Sequence, residues 1–475
     1  MSREPLTPRA TFPPGFIWGT GTAAYQIEGA RDLDGRGESI WDRFCATPGK
    51  VRNGENGAVA CDFYHRYRED IALIRELGTT AFRLSVAWPR VLPDGRGRVN
   101  QAGLDFYDRV IDELLANEIQ PLVTLYHWDL PVALEDAGGW PERSTVDAFC
   151  EYAEVVGRRL GDRVGLWLTQ NEPWVISWLG YGYGVHAPGW NSATDAIAAA
   201  HHVLLSHGLA TDILRRESPG SRVGVTLDLE MTYPASDDPE DAAAWWEFDG
   251  ERNRWFLDPV LRGSYPMDVL ERLAPNAPPI RDGDMEAIAA PIDFLGVNYY
   301  QRKVVGRGAD GGFRFEHPDG SVYTDMGWEV SPNGLFDLMR RLRDEYAPPA
   351  IIVTENGATF ADAQGHDGCV RDPERRDYIA AHVDALGRAI AAGVPVEGYF
   401  AWSLLDNFEW TYGYARRFGL VYVDYPTLER IPKSSFYWYR DHIERVTSAS
   451  WQTQDDQRRL SPMPVDGDPG TKRDG

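Results

Sequence analysis

The chain has 475 residues, of which 43% are hydrophobic and 25% charged, and its formal net charge is −24. This composition is typical of a globular protein and excludes a chain that is disordered throughout. The acidic excess repels phosphate backbones and anionic lipid headgroups, so we expect neither nucleic acid nor a membrane surface as a partner.

The two ends of the chain differ in composition from its centre. Residues 1–11 are polar and contain proline, which predicts a flexible lead, and residues 451–475 contain few apolar side chains, which predicts a disordered tail. Residues 12–450 are then expected to form one domain. Residues 1–14 lack the apolar segment of a signal peptide, and the four cysteines form no C-x-x-C pair. We therefore expect free thiols, no bound metal and a cytoplasmic location.

Eight apolar runs, rich in β-branched and aromatic residues, recur along residues 12–450. They lack regular polar alternation, as expected for strands that are buried on both faces, and segments with helical periodicity separate them. The runs are residues 16–21, 81–88, 120–128, 165–172, 222–231, 294–300, 350–355 and 396–404. Clear helical spacing is present in residues 103–117, 144–160 and 375–392.

The alternation of strands and helices predicts β/α units with parallel strands. Eight units favour a closed (β/α)8 TIM barrel over an open doubly wound sheet, and no G-x-G-x-x-G segment follows any of the runs. The runs are spaced more widely than in a minimal barrel. We therefore expect long loops after the strands, which would build a deep pocket.

Two of the predicted strands end in a glutamate beside an asparagine, in TQNEP at residues 169–173 and VTENG at residues 353–357. Residues at the carboxyl ends of barrel strands face a shared mouth. Pro173 favours an extended backbone at Glu172, and Gly357 permits a sharp turn after Glu355. A single glutamate at a strand end could be a helix cap or a surface residue, but two in one barrel favour a catalytic pair.

Paired carboxyl groups in one cavity are suited to glycoside hydrolysis. One carboxylic acid donates a proton to the leaving oxygen, and the other group, ionised, attacks or stabilises the oxocarbenium-like centre. The 12% aromatic share, with 17 Trp, fits such a site, because the apolar face of a pyranose stacks on aromatic rings.

Further motifs resemble those of glycoside hydrolase family 1, the β-glucosidases, and they occur in the same order along the chain. Besides the two glutamate motifs they are FIWGTGTAAYQIEGA (16–30), FRLSVAWPRVLP (82–93), LYHWDLP (125–131), GVHAPG (184–189), NYY (298–300), WSLLDNFEW (402–410) and RFGLVYVDY (417–425). Each is weak alone, but together they are specific, and the resemblance covers most of the chain. Gln170 departs from the family, which usually has an apolar residue there; this affects local packing but removes no catalytic group.

The resemblance implies a retaining mechanism, in which Glu172 is the general acid/base and Glu355 the nucleophile. Arg83 and Tyr300 would hydrogen-bond Glu355, and Asn298 would support the same side of the site. The residues expected to contact the sugar are Asn171 at its 2-OH; Gln26, His127, Trp128 and Glu409 at the other glycone hydroxyls; Trp402 as a stacking floor; Trp410 as an N–H donor; and Trp328 at the leaving-group sugar.

The implied activity is hydrolysis of terminal non-reducing β-D-glucosyl residues from β-glucosides and cello-oligosaccharides, and also of β-galactosides and β-fucosides. No metal or organic cofactor is expected. The alternatives are a 6-phospho-β-glycosidase and a non-catalytic sugar-binding relative. A phosphate would need cations near the glycone, whereas Glu409 offers a carboxylate. The alternative role for Glu409 is a supporting one, in which it pairs with Arg416 or Arg417. Non-catalytic relatives usually lack one of the two glutamates, and both are present here.

Other polar residues are expected to be structural. Asp228 and Glu230 also lie at the end of a predicted strand, but they match no motif. His201, His202 and His207 lie in an alanine-rich helical segment without H-E-x-x-H spacing, so packing or surface roles are predicted for them.

Overall fold

The structure is a computed structural model that describes residues 12–274 and 276–460. Eight parallel strands close a barrel, which confirms the predicted (β/α)8 fold. Consecutive barrel strands pair with one another, and the first also pairs with the eighth. In chain order the barrel strands are Ile17–Gly21, Ala81–Ser85, Gln120–Tyr126, Leu166–Asn171, Arg222–Asp228, Phe294–Asn298, Ile351–Asn356 and Val396–Trp402.

Most predicted runs extend beyond the carboxyl end of the observed strand. The second run includes Trp88 and the third includes Trp128, yet the strands end at Ser85 and Tyr126. Both tryptophans are buried, at 0% and 9% exposure. Hydrophobicity reports burial and not strand pairing, so a buried segment that follows a strand reads as a continuation of that strand.

Helices occupy the connections between barrel strands, and the three predicted ones are present as Gln101–Ala116, Ser144–Leu160 and Pro373–Ala391. The third begins earlier than predicted because proline is favoured in the first turn of a helix, where its missing N–H is not needed. The other α-helices are Ala24–Ile27, Ile40–Ala46, Phe63–Leu77, Trp88–Val91, Val132–Glu135, Ala193–Glu217, Pro239–Asp249, Trp255–Arg262, Met267–Leu273, Asp284–Ile288, Pro332–Arg341 and Ser434–Leu460. Shorter 3₁₀ or π-helical segments are Arg52–Gly54, Val175–Gly182, Gly250–Arg254, Leu342–Tyr346 and Trp410–Tyr412.

Two small sheets accompany the barrel. A three-stranded sheet is built from segments that follow the fifth and sixth barrel strands, and a two-stranded sheet follows the eighth. Their strands are Met231–Pro234, Arg302–Arg307 and Phe313–Glu316 in the first sheet, and Val421–Asp424 and Glu429–Pro432 in the second.

The barrel interior becomes polar toward the carboxyl ends of its strands. An apolar cluster comprises Ala81, Leu122, Leu166, Leu168, Phe294, Ala350, Ile352 and Phe400. Two residues beyond Ala81, on the same face of its strand, lies Arg83, whose Nε donates to Thr124 Oγ1 at 3.3 Å and whose Nη1 donates to the Thr354 carbonyl at 3.1 Å. The apolar cluster thus fills the base of the barrel, and polar side chains support its mouth.

The last helix, Ser434–Leu460, runs past residue 450, where the sequence predicts the tail to begin. An existing helix extends readily through polar helix-forming residues, because adding a residue is easier than nucleating a new turn. The predicted lead, residues 1–11, and residues 461–475 of the predicted tail lie outside the described residues. In the described part of the chain, no helix is both long and apolar enough to cross a membrane.

Candidate active site

A cavity of about 660 Å³ lies at the carboxyl ends of the barrel strands, and both predicted catalytic glutamates line it. Glu172 directly follows the fourth strand, and Glu355 belongs to the seventh. Most of the predicted sugar-contacting residues also line the cavity, namely His127, Trp128, Asn298, Tyr300, Trp328, Trp402, Glu409 and Trp410. The remaining predicted site residues, Gln26, Arg83 and Asn171, are fully buried.

The two strands that carry the glutamates lose regular pairing near their carboxyl ends. The pairing of the fourth strand with the fifth shifts between Leu168 and Asn171, and that of the seventh with the sixth shifts between Val353 and Glu355. A bulge re-aims a side chain that strict alternation would send to the other face. Asn171 and Glu172, although adjacent in sequence, therefore both accept a hydrogen bond from Asn298.

The backbone of Glu172 is left-handed, with φ of 54°, and not extended as Pro173 led us to predict. Trp128 and Trp410 in the same cavity also have positive φ, 79° and 46°. Non-glycine residues avoid this region, at about 1–2 kcal/mol each. The Glu172 N–H donates to the Thr226 carbonyl at 3.0 Å, which holds this conformation. Unfavourable backbone geometry of this kind concentrates at functional sites.

Gly357 also has a different role from the predicted one. Its φ is not positive, and the requirement for glycine comes from close packing: a Cβ here would collide with the carbonyl oxygen of Trp402. Gly357 therefore lets the end of the seventh strand approach the end of the eighth, where Trp402 lines the cavity.

Both carboxylate oxygens of Glu355 receive hydrogen bonds. Arg83 Nη1 donates to Oε1, and the Tyr300 hydroxyl donates to Oε2 at 2.6 Å. These are the two contacts that the family resemblance implies. Arg83 is completely buried and also donates to Asn171 Oδ1 at 2.5 Å. A charge-assisted bond from a fixed guanidinium stabilises an ionised carboxylate, which is the form that a nucleophile requires.

Glu172 is in the opposite electrostatic situation. Burial raises the pKa of its carboxyl group well above the ordinary value, and the negative charges of Asp228 and Glu355 raise it further. A smaller opposing influence is the Asn298 amide, which donates to Glu172 Oε1 at 2.6 Å. The cavity therefore combines a carboxyl group with a raised pKa and a carboxylate that a guanidinium and a phenol hold, which is a pair of groups suited to glycoside hydrolysis.

Asn298 hydrogen-bonds Glu172, whereas we had expected it to support the side of Glu355. It ends the sixth strand, in register with Asp228 on one side and Glu355 on the other. Thr354 Oγ1 donates to Asn298 Oδ1 at 2.8 Å, which turns the amide nitrogen toward Glu172. Strand pairing places Asn298 beside Glu355, and the hydrogen bond from Thr354 directs its amide nitrogen to Glu172 instead.

Asn171 connects Arg83 to His127. Its Oδ1 accepts from Arg83, and its Nδ2 donates to His127 Nε2 at 3.1 Å. Burial and the positive charge of Arg83 lower the pKa of His127 well below the ordinary value, so the ring is neutral. Because Nε2 accepts a hydrogen bond, the ring proton lies on Nδ1.

Three buried polar atoms of the predicted sugar-contacting residues lack a hydrogen-bond partner among the described residues. They are Gln26 Oε1, His127 Nδ1 and Glu409 Oε2. Gln26 is oriented by its amide nitrogen, which donates to Asn407 Oδ1 at 3.0 Å and to the Phe408 carbonyl at 2.9 Å. An unsatisfied buried polar group costs about 1–3 kcal/mol, so the set indicates a polar ligand. Sugar hydroxyls, which both donate and accept, suit it.

Glu409 forms no ion pair within the described residues. Arg417 pairs with Asp406 at 2.7 Å, and Arg416 lies over the Tyr412 ring, so neither arginine takes the role that the sequence left open. Burial and the negative charge of Glu355 raise the pKa of Glu409 to about 8. Its carboxyl group is thus available for a ligand in the cavity.

Tryptophan rings form the apolar part of the glycone end. The rings of Trp128 and Trp410 have centroids 4.6 Å apart, and Trp402 stacks on His127 at 5.9 Å with an interplanar angle of 16°. Trp328 packs against Tyr300 at 5.0 Å. The indole N–H of Trp128 donates to the Asn171 carbonyl at 3.0 Å, so this residue presents mainly its ring to the cavity.

Sequence reasoning missed several cavity residues. Asp228 and Glu230, set aside as structural, line the cavity and pair with Arg252, at 2.5 Å and 3.6 Å respectively. Their position at the end of the fifth strand was the available signal, since every carboxylate there faces the mouth. Other unpredicted lining residues include Trp174, Phe248, Gln301, Lys303, Phe315, Met326 and Phe418.

The three histidines of the helix Ala193–Glu217 have packing roles, as expected. His201 lies 3.0 Å from both Tyr265 Oη and Asp284 Oδ2, His202 Nδ1 bonds the Trp140 carbonyl at 2.9 Å, and His207 Nδ1 bonds Thr169 Oγ1 at 2.7 Å. The same helix also contacts Gln170, whose Nε2 donates to Ser206 Oγ at 2.8 Å. Over the described ranges, no group of three or more His, Cys, Asp or Glu side chains is placed to hold a metal.

Comparisons with known proteins agree with this geometry. The sequence model of Glycosyl hydrolase family 1 matches residues 8–447. The chain is 46% identical over 445 residues to beta-glucosidase A of Acetivibrio thermocellus, covering 92% of this chain and 99% of that one. It is 45% identical over 457 residues to the bifunctional beta-D-glucosidase/beta-D-fucosidase of Bifidobacterium breve, covering 91% of this chain and 98% of that one. The solved structure of the beta-glucosidase from Thermotoga maritima in complex with glucoimidazole superposes with a TM-score of 0.90 at 47% identity, covering 92% of this chain and 99% of that one.

Proposed function

The chain belongs to glycosyl hydrolase family 1 and is a β-glucosidase, and we propose that it works by retention, with Glu355 as nucleophile and Glu172 as acid/base. One observation carries this assignment. Arg83 and Tyr300 both donate hydrogen bonds to the Glu355 carboxylate, while burial and nearby negative charges raise the pKa of Glu172 in the same cavity. The substrates are β-D-glucosides and cello-oligosaccharides, with β-fucosides and β-galactosides as further candidates.

In the first step a Glu355 carboxylate oxygen attacks the anomeric carbon. The bond between that carbon and the leaving oxygen breaks as Glu172 passes its proton to the leaving oxygen. The products are a glycosyl ester on Glu355, the free aglycone and an ionised Glu172. Attack from the face opposite the leaving group inverts the anomeric centre once.

In the second step water replaces the aglycone. Formation of the ester removes the negative charge of Glu355, which is one of the causes of the raised pKa of Glu172. Glu172 then acts as the base: it accepts a proton from the water that attacks the anomeric carbon, and the ester bond to Glu355 breaks. This second inversion restores the β-configuration and both starting carboxyl groups.

The glycone is bound by the polar atoms that lack protein partners. Gln26, His127 and Glu409 hydrogen-bond its hydroxyls, Asn171 donates to the 2-OH, and Trp402 supplies the stacking surface. Trp410 donates its indole N–H, for which the described residues offer no acceptor, and Trp328 contacts the leaving group. A 6-phosphoglycoside fits poorly, since the described residues place no cation within ion-pairing distance of Glu409 to bind its phosphate. A non-catalytic role does not account for both glutamates.

Retention gives the test of the proposed mechanism. We expect ¹H NMR of nitrophenyl β-glucoside hydrolysis to show β-glucose released first, with the α-anomer appearing later by mutarotation. The matched reference is a glucose solution mutarotating under the same conditions. An α-anomer as the first product would rule out a covalent intermediate on Glu355.

The Glu409 assignment predicts a substrate-dependent loss. Removing one partner of a buried hydrogen bond costs about 1–3 kcal/mol, so Glu409→Ala is expected to lower kcat/KM for nitrophenyl β-glucoside by about 5- to 150-fold. The loss should be smaller for the β-fucoside, which has no 6-OH. Equal losses for both substrates would show that Glu409 does not bind O6.

The cytoplasmic location and the domain limits 12–450 are also proposals. Cys45, Cys61, Cys150 and Cys369 are all free thiols, which is the usual state of cysteines in a reducing compartment. Cell fractionation tests the location, because activity outside the cytoplasmic fraction would contradict it.

A further inference from the structure

A network of buried polar side chains lies next to the nucleophile but does not line the cavity. It consists of Asn356, which follows Glu355 in the seventh strand, Tyr378 of the helix Pro373–Ala391, and Tyr399 of the eighth strand. All three residues are at most 2% exposed. The mechanism proposed above uses none of them.

Asn356 is at the centre of the network. Its Oδ1 accepts from the Tyr399 hydroxyl at 3.0 Å, and its Nδ2 donates to the Tyr299 carbonyl at 2.7 Å. Nδ2 also donates to the Tyr378 hydroxyl at 3.1 Å, and that hydroxyl in turn donates to the Tyr300 carbonyl at 3.1 Å. The network thus ends on the main chain of Tyr300.

The main chain of Tyr299 and Tyr300 lies beyond the sixth strand, which ends at Asn298. Main-chain groups outside a sheet need other hydrogen-bond partners. The Tyr299 N–H donates to the Glu355 carbonyl at 3.0 Å, and side chains of the network bind both tyrosine carbonyls. The network therefore fixes a segment that strand pairing does not.

The side chain of Tyr300 depends on this segment. Its hydroxyl donates to Glu355 Oε2 at 2.6 Å, and its ring packs against Trp328 and Phe418, with centroids 5.0 Å and 6.0 Å away. Ring packing is less directional than a hydrogen bond, so the position of the hydroxyl follows the main chain that carries it. A displacement of about 1 Å at a reacting centre can cost about 100-fold in rate.

Packing of the helix does not require the Tyr378 hydroxyl. The Tyr378 ring stacks on His382 with centroids 4.0 Å apart and an interplanar angle of 28°, and a phenylalanine ring would make the same contact. The hydroxyl therefore matters for its hydrogen bonds, and the bond that it donates goes to Tyr300.

We propose that Tyr378 is a positioning residue, which holds the Tyr300 hydroxyl against Glu355 by fixing the Tyr300 main chain. The inference rests on the proposed role of Glu355 as nucleophile and extends the support of that nucleophile to a helix outside the cavity. Tyr378 does not line the cavity, so its hydroxyl should affect the rate of the reaction and not the binding of the glycone.

The test is a double-mutant cycle of Tyr378→Phe and Tyr300→Phe, with kcat and KM measured for nitrophenyl β-glucoside. Alone, Tyr378→Phe should lower kcat about tenfold and leave KM within about twofold. Tyr300→Phe keeps both glutamates and the bond from Arg83 to Glu355, so its activity should stay measurable. It has no hydroxyl left to position, so adding Tyr378→Phe to it should lower kcat by less than about twofold.

The matched control is Tyr439→Phe. The Tyr439 hydroxyl is also buried and also donates to a main-chain carbonyl, that of Gly19 in the first strand, at 3.1 Å. Its loss should lower the melting temperature, as the loss of the Tyr378 hydroxyl does, but it should leave kcat unchanged.

A second variant approaches the network from its other end. Tyr399→Phe removes the bond that orients the Asn356 amide, so it should lower kcat by a smaller factor and show the same coupling to Tyr300→Phe. It decides the question in place of Tyr378→Phe if circular dichroism shows that Tyr378→Phe is unfolded.

Three results would overturn the proposal. They are an unchanged kcat in Tyr378→Phe, an equal fall of kcat in Tyr439→Phe, and a fall that is undiminished when Tyr378→Phe is added to Tyr300→Phe. Near-normal activity in Glu355→Ala would instead refute the proposed function, so the two failures are distinguishable.

Discussion

Glu355→Ala is expected to abolish turnover, lowering kcat/KM for nitrophenyl β-glucoside by about four orders of magnitude or more. The reason is that no other group can form the covalent intermediate, and removal of a nucleophile removes the whole two-step route. Arg83 loses its ion-pair partner but keeps its bonds to Asn171 Oδ1 and the Thr354 carbonyl, so the fold should survive. Steady-state kinetics measures the loss of activity, and circular dichroism shows whether the variant is folded.

Two further variants show whether the loss is specific to the Glu355 carboxylate. Glu355→Gln keeps the size and hydrogen bonding of the side chain and should be as inactive as the alanine variant. Glu397→Gln removes a half-exposed carboxylate that pairs with Arg222 near the start of the eighth strand, and it should retain activity. Azide should partly restore cleavage in Glu355→Ala by filling the vacated space, and it would give an α-glucosyl azide. Near-normal activity in Glu355→Ala would refute the nucleophile assignment.

Glu172→Gln is expected to separate substrates by their leaving groups. Proton donation by a positioned acid contributes about 10²- to 10⁴-fold, so kcat/KM for cellobiose should fall by that factor. For dinitrophenyl β-glucoside, whose leaving group needs no proton, kcat/KM should change little. The amide retains the acceptor for Asn298, which limits structural damage.

The pH profile gives an independent readout. Because burial raises the pKa of Glu172, its carboxyl group stays protonated above the ordinary range of a carboxylic acid and loses its proton only at higher pH. In the wild type, kcat/KM should therefore fall on the alkaline side, and Glu172→Gln should lack this fall with dinitrophenyl β-glucoside. Asp228→Asn removes one of the charges that raise the pKa of Glu172, so the alkaline limb should move to lower pH without disappearing. An alkaline limb that persists in Glu172→Gln would belong to another group.

Much of the barrel could be predicted from sequence because its signals are local. Strands buried on both faces read as continuous apolar runs, and the eight runs overlap all eight barrel strands. The position of both glutamates in the cavity could be predicted as well, since the end of a barrel strand is a position that the sequence itself marks. The family motifs then assigned roles to residues such as Gln26 and Glu409, which no periodicity would have selected.

Tertiary structure decided how these residues work, because their properties arise between segments far apart in the chain. Asn298 pairs in register with Glu355 of the seventh strand, yet its amide nitrogen contacts Glu172 because Thr354 holds its amide oxygen. The bulges that turn both glutamates into the cavity, and the left-handed backbone of Glu172, depend on neighbouring strands. The raised pKa of Glu172 depends on burial and on the charges of Asp228 and Glu355, which the fold brings together from separate strands. The sequence alone determined the barrel and the pair of carboxyl groups, and only three-dimensional proximity determined which of the two keeps its proton.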